Sequence, residues 1–66
     1  ALGGYYYYAT LDERLHASFA RAENMVLGGD YEGAIAAYLE IYDNHPDFAL
    51  APRALFRAGE VQNLFL

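Results

Sequence analysis

Residues 28–46 read GGDYEGAIAAYLEIYDNHP, and this stretch predicts a sharp turn followed by one helix. Glycine is the preferred residue just beyond a helix C-terminus because it reaches positive φ without a Cβ clash, so Gly28 and Gly29 predict the end of a preceding helix. Asp30 follows at the position of an N-cap, where its carboxylate can accept from the free N–H groups of the first turn. The stretch therefore predicts a helical hairpin.

The second helix of this hairpin is predicted to be amphipathic and to begin at Tyr31. Pro46 cannot continue a helix and disfavours helical geometry at the residue before it, so the helix should end near Asp43 or Asn44. Counted from Ala34, the other apolar residues fall at offsets of one, four, seven and eight, which places them along one stripe of a helix. They are Ala34, Ile35, Tyr38, Ile41 and Tyr42.

Two further amphipathic helices are predicted on either side of the second. The first covers residues 11–27, with Thr10 or Asp12 as its N-cap and with Leu11, Leu15, Phe19, Ala22, Met25 and Val26 as its apolar stripe. The third has Pro52 in its first turn and carries Ala54, Leu55, Ala58, Val61 and Leu64 or Phe65. The small residues Ala22 and Ala34 predict a close crossing of the first two helices. The fold class predicted is all-α.

The hairpin resembles the tetratricopeptide repeat, a helix-turn-helix unit of about thirty-four residues with small and bulky residues at its helix crossings. The resemblance lies in Ala22, the turn Gly29-Asp30-Tyr31, and Ala34, Tyr38 and Pro46. Two features depart from the pattern. Ser18 and Arg21 stand where the repeat carries an aromatic residue and a leucine, and Ile41 replaces the usual alanine. The resemblance covers residues 15–62 and implies about one and a half repeats.

The segment after Pro46 is similar to a subgroup of these repeats found in bacterial envelope proteins, such as the Tol-Pal-associated periplasmic protein and the BamD-like outer-membrane assembly lipoprotein. In that subgroup a proline, a short loop and a second proline precede a helix carrying Ala-Leu and Gly-Glu. Here those positions are Pro46, Pro52, Ala54-Leu55 and, after Ala58, Gly59-Glu60. The resemblance implies a non-catalytic interaction scaffold in the bacterial cell envelope, on its periplasmic or extracellular side.

The chain is thus expected to divide into residues 1–10, an aromatic N-terminal arm; 11–45, the hairpin; 46–52, a connecting loop; and 53–66, the first helix of a following repeat. The arm contains Tyr5, Tyr6, Tyr7 and Tyr8 and is expected to be non-helical or irregular. Four consecutive rings cannot share one side of a helix, and in a strand they alternate between its faces. Three interpretations of the arm stay open. It packs on another chain, it lies near a membrane surface, or it packs on the chain's own helices or is loose.

The composition predicts an apolar surface that the chain cannot cover by itself. Hydrophobic residues make up 56% of the sequence and aromatic residues 17%, whereas repeat architectures generally need about three units to bury a continuous core. The lack of an initial methionine and the apolar Leu64-Phe65-Leu66 end favour a cut chain or a docked tail. The alternative function is therefore a self-associating structural subunit of an oligomer or filament, joined through the arm and the tail.

Charge and composition argue against several functional classes. The net charge of −5, with four arginines as the basic residues, argues against a protein that binds nucleic acid. The absence of cysteine excludes a thiol nucleophile and a thiolate metal site. No convergent acid, base or nucleophile indicates an enzyme, and we expect no metal, cofactor or small-molecule substrate. The partners expected are other protein chains, identical copies among them. The candidate partner-binding residues are Tyr5, Tyr6, Tyr7, Tyr8, Arg53, Phe56, Arg57, Leu64 and Phe65.

Arg53 and Arg57 lie one turn apart on the third helix and have two interpretations. They could clamp a carboxylate of the partner, as the concave faces of such repeats often do. They could instead lie on a solvated face, with one of them paired to Glu60. The second interpretation is favoured for both arginines.

Overall fold

The computed structural model describes the backbone of residues 2–66 and the side chains of residues 10–66. The described residues form three α-helices, α1 (Leu2–Leu27), α2 (Tyr31–Asn44) and α3 (Ala51–Phe65), and no strand occurs among them. The predicted all-α class is confirmed. α2 lies between the other two helices and packs against both, whereas α1 and α3 make few direct contacts with each other.

The turn between α1 and α2 has the geometry that its glycines predict. Gly29 adopts φ +87°, and its N–H donates to the Val26 carbonyl at 3.1 Å. The N–H of Asp30 donates to the Met25 carbonyl at 2.8 Å, which completes a Schellman motif. The Asp30 carboxylate then accepts from the N–H of Gly33 at 3.1 Å and caps α2. These bonds satisfy backbone groups that both helix ends would otherwise leave free.

Substitution of Gly29 by alanine should lower the free energy of unfolding by about 1–2 kcal/mol, because an L side chain is strained at positive φ. An added Cβ at this residue meets no atom within 4 Å, so the backbone conformation alone carries the cost. Gly28→Ala is the matched control, since Gly28 does not have positive φ and its added Cβ makes only ordinary contacts. Urea unfolding of both variants measures the difference; equal midpoints would contradict the role assigned to Gly29.

The core is one cluster that draws on all three helices and on the loop before α3. Its buried members include the predicted first-helix residues Leu15, Phe19, Ala22 and Val26, and the second-helix residues Ala34, Tyr38 and Ile41. α3 contributes mainly small residues: Ala51, Ala54, Ala58 and Val61. The small size of these residues allows α3 to lie close to α2.

The core differs from the prediction at several residues. Leu55 and either Leu64 or Phe65 were expected on the buried stripe of α3, but these residues are 43%, 66% and 46% exposed, because the stripe that faces α2 runs through the alanines and Val61. Ala51 was not predicted to be buried, and neither was Phe48, which is 7% exposed and belongs to the core. Its ring lies edge-on to the His16 ring with centroids 5.1 Å apart, so the α2–α3 loop is held against α1.

The N-terminal segment differs from the expected irregular arm in its backbone. α1 begins at Leu2, so Thr10 and Asp12 lie inside the helix and neither is its N-cap. Residues 2–10 contain no proline, and the two glycines, Gly3 and Gly4, lie in the first turn of α1 and not in its interior, so the tyrosine run itself contains no residue that ends a helix. The side chains of Tyr5 to Tyr8 lie outside the described residues, and the surface that these rings contact remains a prediction.

Candidate protein-binding groove

A groove runs between α1 and α3 because these helices flank α2 without packing closely on each other. Two adjoining hollows form it, and they share Glu23 and Arg53 as lining residues. We call this surface the α1–α3 groove. Its lining residues are His16, Phe19, Ala20, Glu23, Asn24 and Leu27 from α1, Leu50 from the loop, and Arg53, Phe56, Arg57 and Glu60 from α3.

The two arginines of the groove are in different states. Nη1 of Arg57 donates to Oε1 of Glu60 at 3.0 Å, and both side chains are about one third exposed, at 33% and 39%. This hydrogen bond raises the pKa of the Arg57 guanidinium. Arg53 is exposed and has no ion pair among the described residues. Of the two candidates, Arg53 is therefore the cation available to a partner, and Arg57 keeps its pairing with Glu60.

The hydroxyl of Tyr38 lies beneath this polar part of the groove. Tyr38 is fully buried, and its hydroxyl oxygen makes no hydrogen bond of ordinary geometry to any described residue. Burial raises the pKa of this hydroxyl, while the neighbouring Arg57 guanidinium lowers it and the Glu23 carboxylate raises it further. The phenol therefore stays protonated at neutral pH. The ring itself packs edge-on against Phe19, with centroids 5.3 Å apart.

The candidate partner-binding residues are not gathered in one place. Arg53, Phe56 and Arg57 line the groove, and Phe56 is 68% exposed. Leu64 is exposed further along α3, outside the groove lining. Phe65 stacks on Tyr31 with ring centroids 4.4 Å apart and planes 4° apart, so it fastens the end of α3 to the start of α2. The four tyrosines at positions 5–8 lie outside the described side chains.

Sequence reasoning missed the α1 wall of the groove. His16, Ala20, Glu23 and Leu27 are spaced three or four residues apart, which places them on one side of α1. That spacing was visible in the sequence, although only the packing of α3 shows that this side faces Arg53 and Phe56.

A further ion pair of the described residues lies on α1, away from the Arg57–Glu60 pair. Oδ2 of Asp12 lies 3.5 Å from Nε2 of His16, one turn apart on an exposed face of α1. Within the described residues no group of three or more His, Cys, Asp and Glu side chains could hold a metal ion. None of the described helices combines the length and hydrophobicity needed to span a bilayer.

The groove is open, elongated and bounded by two helices, with apolar and charged side chains along its length. Enclosed cavities are typical of small-molecule sites, whereas a surface of this shape is typical of peptide recognition. Comparison with protein-family models, curated proteins and solved structures found no match to this chain.

Proposed function

We propose that the chain is a non-catalytic protein-interaction module of the tetratricopeptide type, which holds a segment of another protein in the α1–α3 groove. The observation that carries this proposal is the presence on the wall of one groove of an exposed aromatic ring, Phe56, beside an exposed cation, Arg53, that has no ion pair with any side chain of residues 10–66. Aromatic and arginine side chains are the types most enriched among energetically dominant interface residues.

The charges of the groove indicate the kind of segment that fits. Arg57 and Glu60 neutralise each other, so Arg53 and Glu23 are the charges left to a partner. A bound segment should place a carboxylate at Arg53 and an apolar side chain on Phe56. An exposed ion pair contributes only about 0.2–1 kcal/mol, so most of the affinity should come from Phe56 and its apolar partner.

We place this activity in the bacterial cell envelope, on the periplasmic or extracellular side. The support for this location is the similarity of residues 46–60 to the repeats of envelope proteins, through the two prolines and the Ala-Leu and Gly-Glu pairs. The helical hairpin and the observed positions of Gly29, Asp30 and Pro46 are compatible with the proposed repeat.

Selection of random peptides on the immobilised 66-residue chain tests the function. Peptides that bind should carry Asp or Glu near an aliphatic or aromatic residue. Phe56→Ala should weaken their binding about tenfold or more, because loss of a central aromatic anchor typically costs more than 1 kcal/mol. Arg53→Ala should weaken binding about two- to fivefold and should reduce its dependence on salt.

Matched controls are available on the other surfaces. Arg14 and Leu39 are both exposed, and neither lines the α1–α3 groove, so Arg14→Ala and Leu39→Ala should leave peptide binding unchanged. Peptides that bind the parent chain and the Phe56→Ala and Arg53→Ala variants equally well would refute the groove as the binding site. A chain that selects no peptide from the library would refute the proposed function itself.

A further inference from the structure

The outer face of α3 is uncharged and uncovered. Residues 55, 59, 62 and 66 recur at steps of three and four and therefore share one side of the helix. We call this side, with its two flanking residues, the Gly59 face; it consists of Pro52, Leu55, Gly59, Gln62, Asn63 and Leu66. All six residues are exposed, with Leu55 at 43% and Leu66 at 65%. The charged residues of α3, Arg53, Arg57 and Glu60, line the groove instead.

Nothing among the residues that the structure describes requires a glycine at position 59. It lies in the interior of α3, its φ is not positive, and a Cβ added to it would meet no atom within 4 Å. Glycine at an interior helix position is destabilising relative to alanine. An exposed glycine one turn from Leu55 is what a close helix crossing requires, because a missing Cβ lets the second backbone come nearer than the usual 8–10 Å between helix axes.

We propose that two copies of the chain associate through their Gly59 faces, with the two α3 helices antiparallel and crossing at Gly59. A two-fold axis at this residue brings each position to its counterpart at equal distance on the other side. Leu55 then faces Asn63 of the second copy, and Pro52 faces Leu66. Gln62 faces Phe56, which lines the α1–α3 groove and lies beside the Gly59 face. Each contact occurs twice, as a two-fold interface requires.

Charge favours a second copy as the occupant of this face. Each chain carries a net charge of −5, so two copies repel each other wherever their acidic residues meet. The Gly59 face contains no ionisable side chain and thus lets two copies meet without opposing like charges. A charged partner would find no opposite charge on this face.

The size of the face predicts a weak dimer. Six residues on each copy fall well short of the roughly 20–30 residues a side of a standard interface. The dissociation constant should therefore lie at about 10–1,000 µM, and association should depend strongly on concentration.

Sedimentation equilibrium of the 66-residue chain from about 10 µM to 1 mM tests the proposal, with concentrations chosen to bracket the expected constant. The mass should rise from 7.4 kDa toward twice that value. Gly59→Leu should abolish the rise by blocking the close crossing, and it should preserve helicity because the added side chain points into open space. Leu55→Glu should also abolish the rise by bringing like charges into the interface.

Two controls separate this dimer from the proposed groove. Arg53→Ala should weaken peptide binding and leave the dimer unchanged, whereas Gly59→Leu should do the reverse at concentrations where the chain is monomeric. A parent chain that remains monomeric at 1 mM, the upper end of the range expected for the constant, would overturn the proposal, because at that concentration a substantial fraction should be dimeric. Association that survives Gly59→Leu but disappears when Tyr5 to Tyr8 are replaced by serine would also overturn it, because the contact would then belong to the N-terminal end of α1.

Discussion

Replacement of Tyr38 by alanine should leave the chain largely unfolded at room temperature. Tyr38 is fully buried at the centre of α2, where its ring contacts Phe19 of α1. Truncation of a buried aromatic residue to alanine typically costs about 3–5 kcal/mol, through lost transfer free energy and the cavity left behind. A chain of 66 residues with a single core is expected to have only about 3–5 kcal/mol of total stability. Far-UV circular dichroism and urea unfolding measure the result.

Tyr38→Phe is the control for this variant, because it keeps the ring and removes only the hydroxyl. The hydroxyl is buried without a hydrogen bond of ordinary geometry to a described residue, so its removal should be neutral or should stabilise the fold by up to about 1 kcal/mol. A melting temperature for Tyr38→Ala within a few degrees of the parent chain would contradict the central position given to this ring. A large loss of stability in Tyr38→Phe would show instead that the hydroxyl is bound, with Arg57 as the candidate partner.

The turn and both ends of α2 could be predicted because their chemistry is local. Positive φ at Gly29, the capping carboxylate of Asp30 and the helix end before Pro46 each depend on one residue and its immediate neighbours. The start of α1 could not be located in this way. The tyrosine run was interpreted through the surroundings its rings would need, whereas its backbone meets no proline, and the glycines at positions 3 and 4 lie in the first turn of α1.

The core of α3 was predicted only in part, since several registers of its apolar residues fit a helix equally well. Ala54, Ala58 and Val61 were placed correctly, but the leucines at 55 and 64 were grouped with them on size and hydrophobicity. The choice between these stripes depends on how closely α3 can approach α2. That distance is a tertiary property that periodicity along one helix does not contain.

In the candidate site too, features that depend on local spacing could be predicted, whereas features that depend on tertiary packing could not. The Arg57–Glu60 pair depends on a spacing of three residues on one helix, and the sequence predicted a solvated face or a pairing with Glu60 for the two arginines of α3 without choosing between them. The apposition of Glu23 to Arg53, and the position of the Tyr38 hydroxyl below them, depend on three helices meeting. No local pattern brings together residues 23, 38 and 53. Arg53 therefore remained one of two equivalent arginines until the partner of Arg57 was known.

Ala34→Leu should lower the free energy of unfolding by about 1–3 kcal/mol, because three additional carbon atoms must enter a space that is already filled. Ala34 is fully buried in the first turns of α2 and belongs to the same core cluster as Ala22 of α1, which is also fully buried. Small residues on facing helices permit a close crossing, so the leucine should push the helices apart or take a strained rotamer.

Ala36→Leu provides the matched control for this effect. Ala36 lies two residues further along the same helix but is exposed, so the identical substitution should change stability by no more than about 0.5 kcal/mol. Leucine and alanine have similar helix propensities, so the pair of variants isolates packing from helix formation. Chemical unfolding of both variants should therefore separate them by at least about 0.5 kcal/mol. Equal midpoints would mean that the surroundings of Ala34 can expand without cost, and that the small residues at positions 22 and 34 do not set the distance between α1 and α2.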